Sequence, residues 1–459
     1  MKKLLLLFFI STFGFSQQPT PGTITDSIQI KYNRGSYALY VPSYYSAEKK
    51  WPIIMLFDPS GRGAMAVNRF KEASEKYGFI VACSNNVKNG TYQESLNIAR
   101  AFYEDVIENH SVDTNALFLG GFSGGARLAS AIAVISNKIK GVIVCGASFA
   151  NTDNFMPKEN DFMYVGLVGD EDFNYREMQS AKVYLDKLKF DSELIVFPGG
   201  HTWPSEQYVN KAVRTLALKA MTRNVLPKNE TKIAEFFAED LAYNKSLVQL
   251  GESYKAYNDL DELKQDYRFY VENDTLKTLQ KEVKNTKEFR TQRASMYEID
   301  QVEPSFYSDY LNYLPQDVAS GELESLGYWE KEIKTIKKDY VNATVIEKQK
   351  MGKRLLNFLD IISTELGTSY DEKLQIDNLL YINIFKTFIT PENPDPYLKI
   401  LKFTVQKGEY GMALFYLEKL LDTGFKDTER LNAQEGISLL RIQPEYNEVL
   451  ETYGLKTMY

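Results

Sequence analysis

The sequence predicts an α/β domain, a mostly parallel sheet wrapped by helices, followed by an all-α region. Three observations carry this. Short apolar runs alternate with amphipathic stretches from Ile28 to Phe197. Several runs are apolar throughout, as strands covered on both faces are. Beyond Asn229, strand-like runs nearly vanish and the chain becomes rich in Glu, Lys, Leu and Tyr.

The elements follow in order. Met1-Lys2-Lys3, the apolar run Leu4 to Ile10 and the small residues Gly14 and Ser16 read as a secretory signal over residues 1–16. Its core is too short to span a bilayer, so the mature protein is expected to be exported, periplasmic or secreted, without a membrane span. Strands are expected at Tyr37 to Val41, Ile53 to Phe57, Phe79 to Cys83, Ala116 to Leu119, Gly141 to Cys145, Phe162 to Val168 and Leu194 to Phe197. Helical stretches lie between them at Ala64 to Tyr77, Glu94 to Asn109 and Tyr175 to Lys189, and a last one covers Ser205 to Lys219. Strand and helix in alternation with short connections is the pattern of a parallel sheet. The polar, proline-bearing segment Asn224 to Asn229 marks a boundary, giving domains at 24–223 and 230–459.

In the second part, Leu355, Phe358, Leu359, Ile362 and Leu366 share one helix face. Tyr397 to Lys407 and Gly411 to Leu421, around a Gly408-Glu409-Tyr410 turn, resemble a degenerate tetratricopeptide unit. Leu247 to Lys264 is a fainter candidate. The signature of about 34 residues is incomplete in both, so a plain helical bundle is the alternative.

A net charge of −7 and the absence of like-charge blocks exclude a nucleic-acid footprint. Cys83 and Cys145 each sit in an apolar run and read as small buried hydrophobes, with a disulfide as the lesser alternative. No zinc-spaced cluster, phosphate loop or dinucleotide fingerprint appears, so no metal or cofactor is expected.

Chemistry concentrates at Gly121-Phe122-Ser123-Gly124-Gly125, which fits G-x-S-x-G between a strand and a helix. That turn would present the Ser123 hydroxyl as a nucleophile and aim the Gly124 amide at a developing oxyanion. Of the two histidines, His110 ends a helical stretch and reads as a surface residue. His201 lies in Gly199-Gly200-His201-Thr202-Trp203-Pro204, just past a strand, and is the candidate base. The acid that orients the imidazole should come from Gly169-Asp170-Glu171-Asp172, with Asp172 favoured over Asp170.

On these residues the first half resembles the α/β-hydrolase superfamily. It is nearest the esterase branch of polyhydroxyalkanoate depolymerase-like, feruloyl esterase-like and dienelactone hydrolase-like enzymes. The resemblance implies a serine hydrolase that cleaves a carboxylic ester, on a small molecule or a polymer, without a cofactor. Family members often carry a His-Gly pair after the third strand, where the second oxyanion donor arises. Here Asp58-Pro59-Ser60-Gly61-Arg62-Gly63 stands instead. Pro59 has no amide hydrogen, so Ser60, or else Gly61, is the expected donor, and Asp58 either caps the next helix or pairs with Arg62. Arg127 is expected to pair within the fold rather than bind an acidic substrate; Trp203 is either a ring platform or packing over the base. Two other readings remain open: a peptidase of the same fold, and an inactive scaffold that binds a protein partner through its C-terminal helices.

Overall fold

The computed structural model describes residues 19–31, 34–150 and 152–456. The proposed signal segment lies outside them. The chain divides into two compact units. The first runs to Asp170 and resumes over Asn174–Thr286; the second comprises Glu171–Phe173 and Lys287–Tyr459.

The first unit is built on eight strands: β1 (Ile24–Gln29), β2 (Ser36–Tyr40), β3 (Trp51–Phe57), β4 (Ile80–Ser84), β5 (Val112–Phe122), β6 (Ile139–Cys145), β7 (Met163–Gly169) and β8 (Ser192–Phe197). Their order across the sheet is β1-β2-β4-β3-β5-β6-β7-β8. β2 runs antiparallel to both β1 and β4, while every pair from β4 through to β8 is parallel. All seven expected strands are present. β1, in which only Ile28 is buried, has too little apolar character to stand out in the sequence. β4, β6 and β7 are almost entirely buried, as continuous apolar runs require.

The sheet is flanked by α1 (Gly63–Tyr77), α2 (Tyr92–Asn109), α3 (Gly124–Ile135), α4 (Tyr175–Lys187) and α5 (Glu206–Thr222). Thr91 caps α2 by accepting from the Glu94 amide, and Gly78 ends α1 in the left-handed conformation. Cys83 and Cys145 are buried as free thiols, and burial pushes both thiol pKa values up. His110 is not the surface residue its position suggested. It is 8% exposed, its Nε2 lies 2.8 Å from the Tyr37 hydroxyl, and burial pulls its pKa down to about 4.

The first unit does not stop at the expected boundary of 223–230. It carries on through α6 (Glu230–Gln249), α7 (Ser253–Asp266) and α8 (Asp274–Lys284). Buried ion pairs bind α6 and α7 to α5. Arg214 Nε donates to Asp240 Oδ1 at 2.9 Å, Lys211 meets Asp259 at 3.1 Å, and Lys219 pairs with Asp266. The leaving helix is thus covered on its charged face, which the sequence presents as solvent-facing.

The second unit is all helix: α9 (Lys287–Ser320), α10 (Leu326–Ile336), α11 (Ile346–Gly367), α12 (Ile376–Ile389), α13 (Pro394–Lys407), α14 (Tyr410–Asp422) and three short helices to Thr452. Leu355, Leu359 and Ile362 of α11 enter its core with Trp329 and Phe385. Arg354 and Glu303 form a buried pair at 2.6 Å. The α13–α14 hairpin turns at Gly408 and buries Ala413, Leu417 and Leu401 in a separate cluster.

Asp240→Ala should strip Arg214 of its buried counter-ion and lower unfolding stability by about 3–5 kcal/mol. Chemical denaturation of the full chain measures this. A chain ending at Asn229 should also melt below one ending at Thr286; equal melting temperatures would place the boundary back at Asn229.

Candidate active site

The site forms where β5 hands over to α3. Ser123 takes φ 51° and ψ −121°, a conformation that L residues rarely adopt. Two glycines make it necessary. A side chain at Gly121 would strike the Gly125 backbone, and one at Gly125 would strike the carbonyl of Phe57 on β3. The helix therefore starts hard against the sheet. The Ser123 amide donates to the Cys145 carbonyl at 2.8 Å, and the Ser123 carbonyl accepts from Ala126 and Arg127 at 3.0 and 3.1 Å. Gly124, the first residue of α3, has an amide with no intrahelical acceptor, available to an anion.

Ser123 Oγ lies 2.9 Å from His201 Nε2, so the structure brings the expected nucleophile and base into hydrogen-bond contact. His201 stands on the loop after β8. That loop is braced by Asp170, whose Oδ1 accepts from the Gly199 amide at 3.0 Å and whose own amide donates to the Phe197 carbonyl at 2.8 Å. The imidazole packs on the ring of Phe122, centroid to centroid 4.7 Å, and borders Gly146, where a side chain would press on it. Asp172 lies on the loop after β7 and is wholly buried. β7 pairs with β8 up to Gly169 and Phe197, so the loops carrying Asp172 and His201 leave from paired strand ends.

Asp58 is the residue whose role the sequence left most open. Its carboxylate is fully buried and accepts from the Ser60 amide (2.9 Å), from Arg62 Nε and Nη2 (3.0 and 2.9 Å) and from Trp203 Nε1 (2.8 Å). Burial alone would raise its pKa. The hydrogen bonds from Arg62, Trp203 and the two amides of Ser60 and Arg62 outweigh burial and hold it below the ordinary carboxylate value. Asp58 thus pairs with Arg62, one of its two expected roles, and also ties the β3–α1 loop to the residue two beyond His201.

This corrects the second oxyanion donor. The Ser60 amide is turned onto Asp58 and is spent there, and the Gly61 amide donates to the Asp58 carbonyl at 3.0 Å. Trp203 is packing: it is 7% exposed, tilted against Phe122 and edge-on to Phe70. Arg127 pairs with Glu177 at 2.6 Å and donates to the Phe149 carbonyl at 2.7 Å, the internal role expected of it. Among the described residues, no group of three His, Cys, Asp or Glu side chains could hold a metal ion, and no helix is long and apolar enough to cross a membrane.

Residues 44–213 match the family described as "Serine hydrolase (FSH1)". No curated protein matches the sequence. Among solved structures, the chain is similar to a hyperthermophilic esterase from the archaeon Pyrobaculum calidifontis, at 11% identity over 44% of this chain and 87% of that one, with a TM-score of 0.37. It is also similar to the feruloyl esterase module from Clostridium thermocellum, at 16% identity over 42% and 88%, TM-score 0.36. A third is the fluorophosphonate-binding serine hydrolase F of Staphylococcus aureus, at 14% identity over 43% and 99%, TM-score 0.37.

Asp58→Ala should leave the buried Trp203 N–H and Ser60 amide without acceptors and cost about 1–3 kcal/mol of stability. Calorimetry reads this, and an unchanged melting temperature would show that Asp58 ties nothing together.

Proposed function

We propose that this chain, a serine hydrolase of the α/β-hydrolase superfamily, cleaves a carboxylic ester through an acyl-enzyme on Ser123. The observation that carries the reading is the 2.9 Å contact between Ser123 Oγ and His201 Nε2 at a strained strand-to-helix turn. In the reaction His201 Nε2 takes the hydroxyl proton as Oγ attacks the ester carbonyl. The tetrahedral oxyanion meets the Gly124 amide at the positive end of α3. Collapse expels the alcohol, which takes its proton from His201. Water, deprotonated by the same imidazole, then releases the acid and restores Ser123.

Asp172 is the proposed acid of the triad. Its support is its full burial and its place past Gly169, which ends the strand before the loop. A buried carboxylate keeps its charge only with partners, and an imidazole that becomes cationic during turnover is a suitable one. We further propose export through the signal over residues 1–16, with the second unit serving as a docking surface for a protein partner or a polymeric ester. An inactive scaffold has no use for a strained serine held against a histidine, which disfavours that alternative.

Ser123→Ala should abolish labelling by a fluorophosphonate probe and hydrolysis of a small activated ester, and His201→Ala should lose as much hydrolysis as Ser123→Ala. A Ser123→Ala protein that still labels would rule out Ser123 as the nucleophile.

Asp172→Asn should lower kcat by about ten-thousand-fold, since an amide holds the wrong imidazole tautomer. Asp170→Asn should do much less, since its Oδ1 accepts a backbone hydrogen bond from Gly199. Steady-state kinetics of the two variants decides, and the reverse ranking would make Asp170 the acid.

A further inference from the structure

The hydrolase reading needs a second donor opposite Gly124, and the loop after β3 has none to give. Pro59 carries no amide hydrogen. The amides of Ser60 and Arg62 donate to Asp58 Oδ1 at 2.9 and 3.3 Å, that of Gly61 to the Asp58 carbonyl at 3.0 Å, and that of Gly63 to Asn85 Oδ1 at 3.1 Å. Every backbone donor from 60 to 63 is therefore already satisfied. A single amide at Gly124 would leave a tetrahedral oxyanion without the second donor that such sites pair with it.

Asn89 carries a side chain that reaches the Gly124 position. Its backbone amide donates to the Pro59 carbonyl at 3.1 Å, which fixes it beside the β3–α1 loop. Its side chain reaches across to the turn. A methyl group built on Gly124 would collide with Asn89 Oδ1 and lie 3.3 Å from its Cγ. The carboxamide has no hydrogen-bond partner among the described residues, so no structural contact employs it. Half a turn about its terminal bond exchanges Oδ1 for Nδ2 and brings an N–H donor to the same place.

We infer that the Asn89 side-chain amide is the second oxyanion donor, working with the Gly124 amide, and is a catalytic residue of the ester hydrolysis proposed above. The inference rests on that reading for its substrate, though not for its geometry. A side chain at position 124 would have to displace the carboxamide. A side-chain donor in place of a loop amide is chemically sufficient, because what matters is a preorganised N–H aimed at the developing charge.

The test compares Asn89→Ala and Asn89→Asp with wild type in the full-length chain. Both should lower kcat on a small activated ester by about 10²–10³-fold with KM nearly unchanged, the loss typical of one oxyanion donor. Asn89→Asp should be no better than Asn89→Ala, because a carboxylate donates nothing and repels the oxyanion. Inhibition by a trifluoromethyl ketone, which forms the tetrahedral adduct, should weaken in proportion to kcat/KM, a change that a packing role would not produce. Fluorophosphonate labelling should slow in both variants as well. That rate depends on the same hole and needs no ester to be the natural substrate. If wild type labels but cleaves no ester, the ester reading fails while the labelling rates still judge Asn89. If Asn89→Ala labels and turns over within about threefold of wild type, Asn89 is not the donor.

Discussion

The close approach of α3 to the sheet governs the geometry of the candidate site. Gly121 and Gly125 let the helix start in backbone contact with β5 and with Phe57 of β3. Ser123, caught between them, has no room for a relaxed strand or helix conformation and takes φ 51°. Such strain costs on the order of 1–3 kcal/mol and persists only where neighbours over-determine it. Here the neighbours are the Cys145 carbonyl and the amides of Ala126 and Arg127. In return, the hydroxyl is held within reach of His201 and the unpaired helix amide at Gly124 lies beside it. The positions of the hydroxyl and of the Gly124 amide follow from one steric requirement on two glycines.

A second constraint keeps the loops around that turn in register. Asp58 is a charge with no exposure, and its removal from water is repaid only by a full set of donors. Those donors come from its own loop and from Trp203, so the carboxylate fixes the β3–α1 loop against the segment carrying His201. The same bonds consume the amides that a loop of this kind would otherwise offer to substrate. Structural order at Asp58 and the lack of a free amide donor on its loop are one fact seen from two sides. In the proposal above, the Asn89 carboxamide on the loop after β4 resolves it without disturbing the buried charge.

These details also mark where the sequence was readable. The central strands were legible because burial on both faces writes continuous apolar runs, and the elbow because glycine, serine and glycine must follow a strand in that spacing. His201 was legible by its place after a strand. The Asp58–Trp203 bond was not, since it joins residues 145 positions apart and neither residue type demands the other. For the same reason Ser60 looked like a free donor: nothing in Asp58-Pro59-Ser60 tells whether the carboxylate turns back onto the amide. His110 was misread because the end of an amphipathic helix usually meets water, whereas Tyr37 from β2 covers this one.

The boundary at 223–230 failed for a more general physical reason. α5 presents Leu216, Ala217 and Ala220 to a core and Lys211, Arg214 and Lys219 elsewhere, the pattern of a helix with one wet face. All three cations are nonetheless buried. Burial alone would drive the Lys211 ammonium toward neutrality, but Asp259, Glu193 and Asp240 outweigh it and keep it charged. The acids that do this are spread over β8, α6 and α7, so no local window of sequence reveals the cluster. Buried ion pairs add little net stability compared with apolar packing, yet they are unforgiving of misplacement, because a slipped helix would leave charges unmatched in a dry interior. The charged face of α5 therefore acts as a template on which α6 and α7 have one acceptable seat. What reads in the sequence as the outer edge of the hydrolase is the surface on which its last helices are aligned.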